Sequence, residues 1–207
     1  MTGRFITFEG IDGCGKTTHA RTLVERLNRE GTKAVLLREP GGTAIGERVR
    51  AILLDKAHMD MAAEAELLLF TAARAQIVRE VVRPALAAGT VVVLDRFTDS
   101  SEAYQGYGRG LDLEAVRQVN RFATGGLRPD LTLFLDLDEA EAAERMGVRP
   151  GASDRLDDEG ASFMKRVREG YRKLAMDDPE RFRVVPASGS IEEVDARIDA
   201  ALKEVLP

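Results

Sequence analysis

Tryptophan is absent from this chain, cysteine occurs once, and aromatic residues make up only 5% of it. A core built with so few rings has to be aliphatic, and 44% hydrophobic residues are enough to supply one from Leu, Val, Ile and Ala. The single cysteine, Cys14, excludes an intrachain disulfide and fits a reducing compartment. No run approaches the ~18 consecutive apolar residues of a membrane-crossing helix, and the N-terminus lacks the basic-then-apolar order of a secretion signal. The expectation is a soluble, cytoplasmic protein without a membrane partner. An excess of positive charge is missing too: 30 Lys and Arg stand against 35 Asp and Glu, a net charge of −5. Nucleic acid is therefore not an expected partner, since nonspecific binding needs a basic surface that displaces counterions. Phosphates can still be held where arginines and backbone amides converge.

A chain of 207 residues suits one domain, with room for a small mobile insertion. Five short runs read as strands: Arg4–Glu9, Lys33–Arg38, Val91–Asp95, Leu131–Asp136 and Phe182–Val185. Three are nearly continuous apolar runs, the pattern of strands covered on both faces. Helical periodicity lies between them. Ala20, Leu23, Val24 and Leu27 share a face ahead of Gly31, and a longer pattern runs from Ala62 to about Ala88, where Pro84 is expected to kink or break it. Phe163, Val167, Tyr171 and Leu174 form a third stripe, and Ile191, Val194, Ile198 and Leu202 a fourth. Strands alternating with helices predict an α/β fold, a five-stranded parallel sheet with helices on both faces. Glu144–Leu156 stands apart, mixing Gly147, Pro150, Gly151 and Ser153 with Arg145, Arg149 and Arg155, and reads as a mobile loop.

The strongest motif is Gly10-Ile11-Asp12-Gly13-Cys14-Gly15-Lys16-Thr17, a full match to G-x-x-x-x-G-K-[ST]. It follows a strand and opens an amphipathic helix, the context its mechanism requires. The glycines let backbone N–H groups turn inward around phosphate oxygens, Lys16 reaches the β- and γ-phosphates, and the Thr17 hydroxyl is offered to Mg²⁺. Gly10 to Thr18 are thus the expected ATP- or GTP-binding residues of a P-loop NTPase fold. No Asn-Lys-x-Asp string is present to read guanine. Cys14 reads as a small loop residue whose backbone matters, with no partner for redox chemistry. His19 and His58 have no partner at metal-ligand spacing, and the acidic clusters Asp157-Asp158-Glu159 and Asp177-Asp178 read as charges at helix starts.

A second constellation follows the third strand. Asp95 and Arg96 emerge at its carboxyl end, where open α/β sheets bind ligands. The pair can set a carboxylate near a metal and a guanidinium on a phosphate, or it can be a surface ion pair. Phe70 and Arg74 lie at i and i+4, and spacing alone favours a core ring and a solvated charge. Here a resemblance adds what spacing cannot. Asp95–Gly106 (DRFTDSSEAYQG) closely resembles the segment that marks thymidylate kinases, as do Glu9–Thr18, Arg38–Thr43 (REPGGT), Leu67–Arg74 (LLLFTAAR) and Pro129–Asp138, in the family's order along the whole chain. The resemblance implies a nucleoside monophosphate kinase domain over residues 1–207 that moves the γ-phosphate of ATP onto dTMP with Mg²⁺, and a homodimer. It implies that Lys16 holds the ATP phosphates and Arg96 the dTMP phosphate, with Asp12 near the acceptor's 3′-hydroxyl and the metal. Phe70 would stack on thymine, Arg74 hydrogen-bond a base carbonyl, Ser101 and Gln105 read the remaining base edge, and Tyr104 crowd the 2′ position. Thr17 and Asp95 are the metal candidates. The variable P-loop positions Ile11, Asp12, Gly13 and Cys14 carry no basic residue, which resembles the bacterial type of the family and implies a catalytic arginine in a lid at about 144–156, supplied by Arg145, Arg149 or Arg155, with Arg149 ranked first and Arg155 second. Ala187–Ser190 is where the adenine of ATP would rest.

Overall fold

The computed structural model of the chain describes residues 3–147, 155–156 and 159–203. All five predicted strands form, as β1 (Phe5–Glu9), β2 (Ala34–Arg38), β3 (Val91–Asp95), β4 (Leu131–Asp136) and β5 (Phe182–Pro186). They pair in parallel in the order β2-β3-β1-β4-β5. Every residue of β1 and β3 is buried, which is why these strands read as nearly continuous apolar runs. Alternate side chains enter different clusters: Val91 and Val93 join Ile6, Phe8 and the helix residues Ala20, Leu23 and Leu27, whereas Val92 and Leu94 join Phe5, Ile77, Val78, Val82 and Phe97.

The helices are α1 (Lys16–Arg29), α2 (Ala44–Leu54), α3 (Ala63–Ile77), α4 (Arg83–Ala87), α5 (Thr98–Ser101), α6 (Leu113–Thr124), α7 (Glu139–Gly147), α8 (Ala161–Asp177) and α9 (Ile191–Leu202). Their ends carry local signals. Thr43, Asp112 and Ser190 cap α2, α6 and α9 through their side chains, and Glu193 completes a capping box with Ser190. The predicted stripe of α8 is wholly buried, but on α9 Ile191 remains 52% exposed beside a buried Val194, Ile198 and Leu202.

Three expectations are corrected. Pro84 does not break its helix: between α3 and α4 the path widens into a π segment, Val78–Val82, in which the Arg83 N–H bonds to the Val78 carbonyl. Widening the turn relieves the clash between the proline ring and the carbonyl four residues back. Glu144–Gly147 is not part of a loop, because the Ala- and Glu-rich run from Glu139 continues as α7 through Gly147. Asp177 and Asp178 close α8 rather than start a helix, and Asp178 accepts from Arg128 and Arg181. The Asp157-Asp158 pair and Arg149 lie outside the described residues.

The strand order reverses about β1, so the carboxyl ends of β1 and β3 open a crevice between diverging connections. Into it run Gly10–Gly15 from β1 and the Asp95–Arg96 turn from β3. Behind this turn, Asp99 of α5 accepts two hydrogen bonds from Arg181, at 2.6 and 2.9 Å, and one from the Thr132 hydroxyl of β4 at 3.1 Å. Asp99 is 2% exposed, so the pair anchors α5 to the far half of the sheet. Arg181→Met should leave Asp99 charged, buried and unpaired, at a loss of about 3–5 kcal/mol in urea unfolding. Adding Asp99→Asn should recover most of that loss.

Candidate active site

Glycines shape the phosphate loop at contacts no side chain would fit. A Cβ on Gly10, at φ 140°, would meet the Leu135 carbonyl oxygen at 2.6 Å, and one on Gly13, at φ 84°, the Ala142 carbonyl oxygen at 2.5 Å. Ile11 and Cys14 turn their side chains into the core, with the Cys14 sulfur 3.8 Å from the Lys16 ammonium. Burial pushes the Cys14 thiol up, despite Lys16 and Arg96 nearby, so it stays protonated and inert. The Lys16 ammonium donates to the Ile11 carbonyl at 2.9 Å and lies 3.7 Å from Asp12. Thr17 donates its hydroxyl to Asp95 at 2.6 Å. His19, buried behind the loop, pairs with Asp195 at 2.7 Å and reads as structural.

Arg96 is the one described non-glycine residue with positive φ, at 71°. The strain is held by a bond from its own N–H to the Phe8 carbonyl, 3.0 Å, and by Glu9, which accepts the next N–H, that of Phe97, at 2.7 Å. Ser100 and Tyr171 donate to the other Glu9 oxygen at 2.6 and 2.8 Å. The turn aims the Arg96 guanidinium at Asp12, 2.9 Å, and at the Tyr104 hydroxyl, 2.9 Å. Burial alone would raise Asp12, but the charges of Arg96 and Lys16 outweigh it and hold the carboxyl well below its usual range.

Two cavities meet at this pair. One, of about 680 Å³, is lined by Gly13, Gly15, Lys16, Thr17, Thr18, Asp95, Arg38 and Arg145. The other is a narrow slot walled by Phe70, Arg74, Ser101, Tyr104, Gln105 and Leu156. Asp12, Glu39, Arg50 and Arg96 border both. A further cavity of about 640 Å³, beside α6, contains none of the predicted site residues. Most of its charges are paired within the chain, as in Arg117–Glu102 and Arg128–Asp178.

In the slot, Arg74 is 1% exposed, so the solvated reading from spacing does not hold. It donates to Glu39 (2.7 Å), Ser101 (2.8 Å), Asn120 (2.6 Å) and the Phe97 carbonyl (2.9 Å). A guanidinium has about five N–H groups, so a single one remains for a ligand. Tyr104 and Gln105 sit on a second π segment, Glu102–Gly108, whose extra residue per turn re-aims them into the slot.

Arg155 departs from its expected place. It is 2% exposed and donates to Glu66 and to the Leu53 carbonyl, so its guanidinium is held beside the acceptor slot and not at the phosphate loop. Arg145, on α7, does line the phosphate cavity, while donating to Glu141 and the Ala187 carbonyl. Sequence reasoning missed Glu9, Glu39, Arg50, Glu66 and Tyr171. Glu9 and Glu39 lie inside the quoted blocks EGIDGCGKTT and REPGGT, but nothing local marks them, because their partners come from remote segments.

The Thr17 hydroxyl and Asp95 carboxylate form a hard-oxygen donor set beside the phosphate loop, which fits Mg²⁺. Among the described residues no cluster of three His, Cys, Asp or Glu could hold a metal by itself, so triphosphate oxygens and water would complete the shell.

Burial raises both Glu9 and Glu39 from 4.5 to about 7, with Asp99 adding to the effect at Glu9 and Arg74 opposing it at Glu39. The folded state therefore keeps two protons that the unfolded chain releases above about pH 4.5, so this stability is fully present below that pH and falls as pH rises towards 7. Urea midpoints measured from pH 5 to 7.5 should decline, and Glu39→Gln should reduce that slope by roughly half. An unchanged slope would mean that Glu39 is ionised throughout.

The family model described as Thymidylate kinase matches residues 8–198. The chain is 50% identical over 206 residues to a thymidylate kinase of Pelotomaculum thermopropionicum, covering 100% of this chain and 95% of the relative. It is 52% identical over 208 residues to one of Desulfovibrio desulfuricans, covering 98% and 96%, and 55% identical over 188 residues to one of Desulforudis audaxviator, covering 90% and 84%. With a P-loop cavity and an acceptor slot meeting at Asp12 and Arg96, and with matches of this extent, the chain belongs to the thymidylate kinase family.

Proposed function

We propose that this chain transfers the γ-phosphoryl group of ATP to dTMP, giving ADP and dTDP, and works in the cytoplasm to supply dTTP synthesis. The observation that carries the reading is the shared border of the two cavities: Asp12 and Arg96 stand where a donor triphosphate and an acceptor monophosphate would face each other.

The reaction asks for placement and charge. The acceptor atom is a phosphate oxygen with no proton to remove, so the bond from Pγ to it forms as the bond to the β–γ bridging oxygen breaks. Lys16 and the Gly13–Thr18 backbone hold the donor phosphates. Thr17 and Asp95 would hold Mg²⁺, which would supply charge neutralisation on the donor phosphates. Arg96 binds the dTMP phosphate, and Asp12, kept ionised, accepts from the 3′-hydroxyl. Phe70 stacks on thymine, the remaining Arg74 N–H meets a base carbonyl, Ser101 and Gln105 take the other polar edge, and Tyr104 crowds C2′. Ala187–Ser190 lies next to the adenine. Excluding water from this site favours transfer to dTMP over hydrolysis.

Arg149 remains the proposed source of charge on the transferring group, because Arg155 is taken up by Glu66, Arg145 is engaged by Glu141 and the Ala187 carbonyl, and the P-loop offers no basic residue in its variable positions. The protein is proposed to act as a single domain over 1–207 and as a homodimer. Support for the dimer comes from Leu68 on α3, 57% exposed, and Phe122 on α6, 91% exposed, since these helices pack side by side.

ADP release from MgATP should be far faster with dTMP than with dUMP, UMP, CMP, AMP or GMP. Preference for another monophosphate would sink the thymine reading while leaving the P-loop reading intact, and no turnover on all six would sink the kinase reading. Arg149→Ala should lower kcat by roughly a hundred-fold or more with little change in the KM for dTMP. Equal losses in both would reduce Arg149 to a substrate-holding residue.

A further inference from the structure

Glu66 stands on α3 one turn before Phe70 and is 1% exposed. Few buried carboxylates are so fully engaged. Its Oε1 accepts from the Gln105 amide nitrogen at 2.9 Å and from Arg109 Nε at 3.2 Å, and its Oε2 accepts from Arg109 Nη2 at 3.0 Å and from Arg155. These bonds fill about four lone-pair positions, all a carboxylate offers. Burial works to raise Glu66, but hydrogen bonds from Arg109 and Gln105 and the Arg109 charge overcome it, so the carboxyl lies below its ordinary value. Glu66 is therefore ionised and can only accept.

That fact sets the polarity of a neighbour. An amide offers a donating nitrogen on one side and an accepting oxygen on the other. Turning the Gln105 carbonyl towards Glu66 would oppose two acceptors in a buried site, so the nitrogen must face Glu66 and Oε1 must face away from it. Gln105 is itself 2% exposed and lines the acceptor slot beside Phe70 and Arg74. The slot then presents an acceptor from Gln105 and a donor from the remaining N–H of Arg74. A 4-oxo pyrimidine such as thymine matches both, with its N3–H and O4. A 4-amino pyrimidine mismatches both, because its N3 is a bare acceptor and its exocyclic group donates.

We propose that Glu66 is the positioning residue that makes the acceptor site select 4-oxo over 4-amino pyrimidine monophosphates, by fixing the orientation of the Gln105 amide. The inference rests on the kinase reading above and adds to it the origin of its base choice. Glu66 touches no substrate; it acts through Gln105.

The test is the ratio of kcat/KM for dTMP to that for dCMP. In Glu66→Gln the new amide can donate as well as accept, which frees Gln105 to turn over. The ratio should fall by roughly ten-fold or more, mainly through the KM values. Gln105→Leu should lower it too, and in that background Glu66→Gln should change it by less than about two-fold, because both act through one amide. Arg109→Gln removes another partner of Glu66 without touching the amide, and should leave the ratio within about two-fold of wild type. If Glu66→Gln does not fold, Glu66→Asp, which keeps the charge but withdraws the oxygens from Gln105, should move the ratio in the same direction. A wild-type ratio in the soluble Glu66 variant overturns the proposal, as does an equal fall in Arg109→Gln or a full further fall on the Gln105→Leu background. A wild type that accepts dCMP as readily as dTMP would instead overturn the base-site reading itself, and this inference with it.

Discussion

The site depends on one buried carboxylate, Glu9, and on the strained turn it holds. Arg96 can aim its guanidinium into the crevice only because its backbone enters the left-handed region, which a side chain bearing Cβ disfavours. Glu9 sits at the last position of the central strand and accepts from the Phe97 amide and the Ser100 and Tyr171 hydroxyls. Those donors belong to the β3 exit, to α5 and to α8. One side chain thereby joins the strand that carries the phosphate loop, the turn that carries Arg96, and a helix that returns much later in the chain. Packing adds to the same point: Tyr171 stacks on Phe134 of β4 with ring centroids 5.2 Å apart.

An acidic chain that handles two polyanions has to concentrate what positive charge it has. Lys16, Arg38, Arg50, Arg96 and Arg145 all border the phosphate cavity. Left unpaired, such a cluster would repel itself, and the protein answers with local acceptors. Arg96 and Lys16 share Asp12, Arg38 binds Glu47, and Arg145 binds Glu141. Asp12 is central to this arrangement because it keeps two cations of the site within a few ångströms of each other. The net charge of −5 therefore describes the surface as a whole and not the field inside the crevice.

Much of the fold was legible because its signals are local. A strand buried on both faces is mostly apolar, and so β1, β3 and β4 could be bounded almost to the residue. The phosphate loop was legible because each of its fixed positions has a steric or chemical duty in a short span. The π segments were not, since the extra residue in a turn leaves no periodic trace; Pro84 looked like a break for that reason. The carboxylates that organise the site were also hidden. Glu9 meets Tyr171 across 162 positions, and Glu66 meets Arg155 across 89, separations that no pattern in the chain records. Arg155 illustrates the limit in the other direction: composition marked its segment as basic, but only tertiary contacts show that this guanidinium is occupied.

The stripe Glu66, Phe70 and Arg74 on α3 shows why periodicity alone misjudges such a helix. Three residues at successive i, i+4 steps share a face, and a ring between two charges ordinarily reads as an exposed or half-buried surface. Here both charges are about 1% exposed and the ring between them is only partly buried. The inversion is stable because both charges are engaged: Arg74 donates to Glu39, Ser101, Asn120 and a carbonyl, keeping one N–H spare, and Glu66 accepts from Gln105, Arg109 and Arg155. Apolar residues of the same volume would cost the fold less desolvation. What they could not do is orient polar groups along the wall of the slot beside Phe70. Buried charges engaged in this way are better understood as fixing the polarity of the slot wall than as sources of stability.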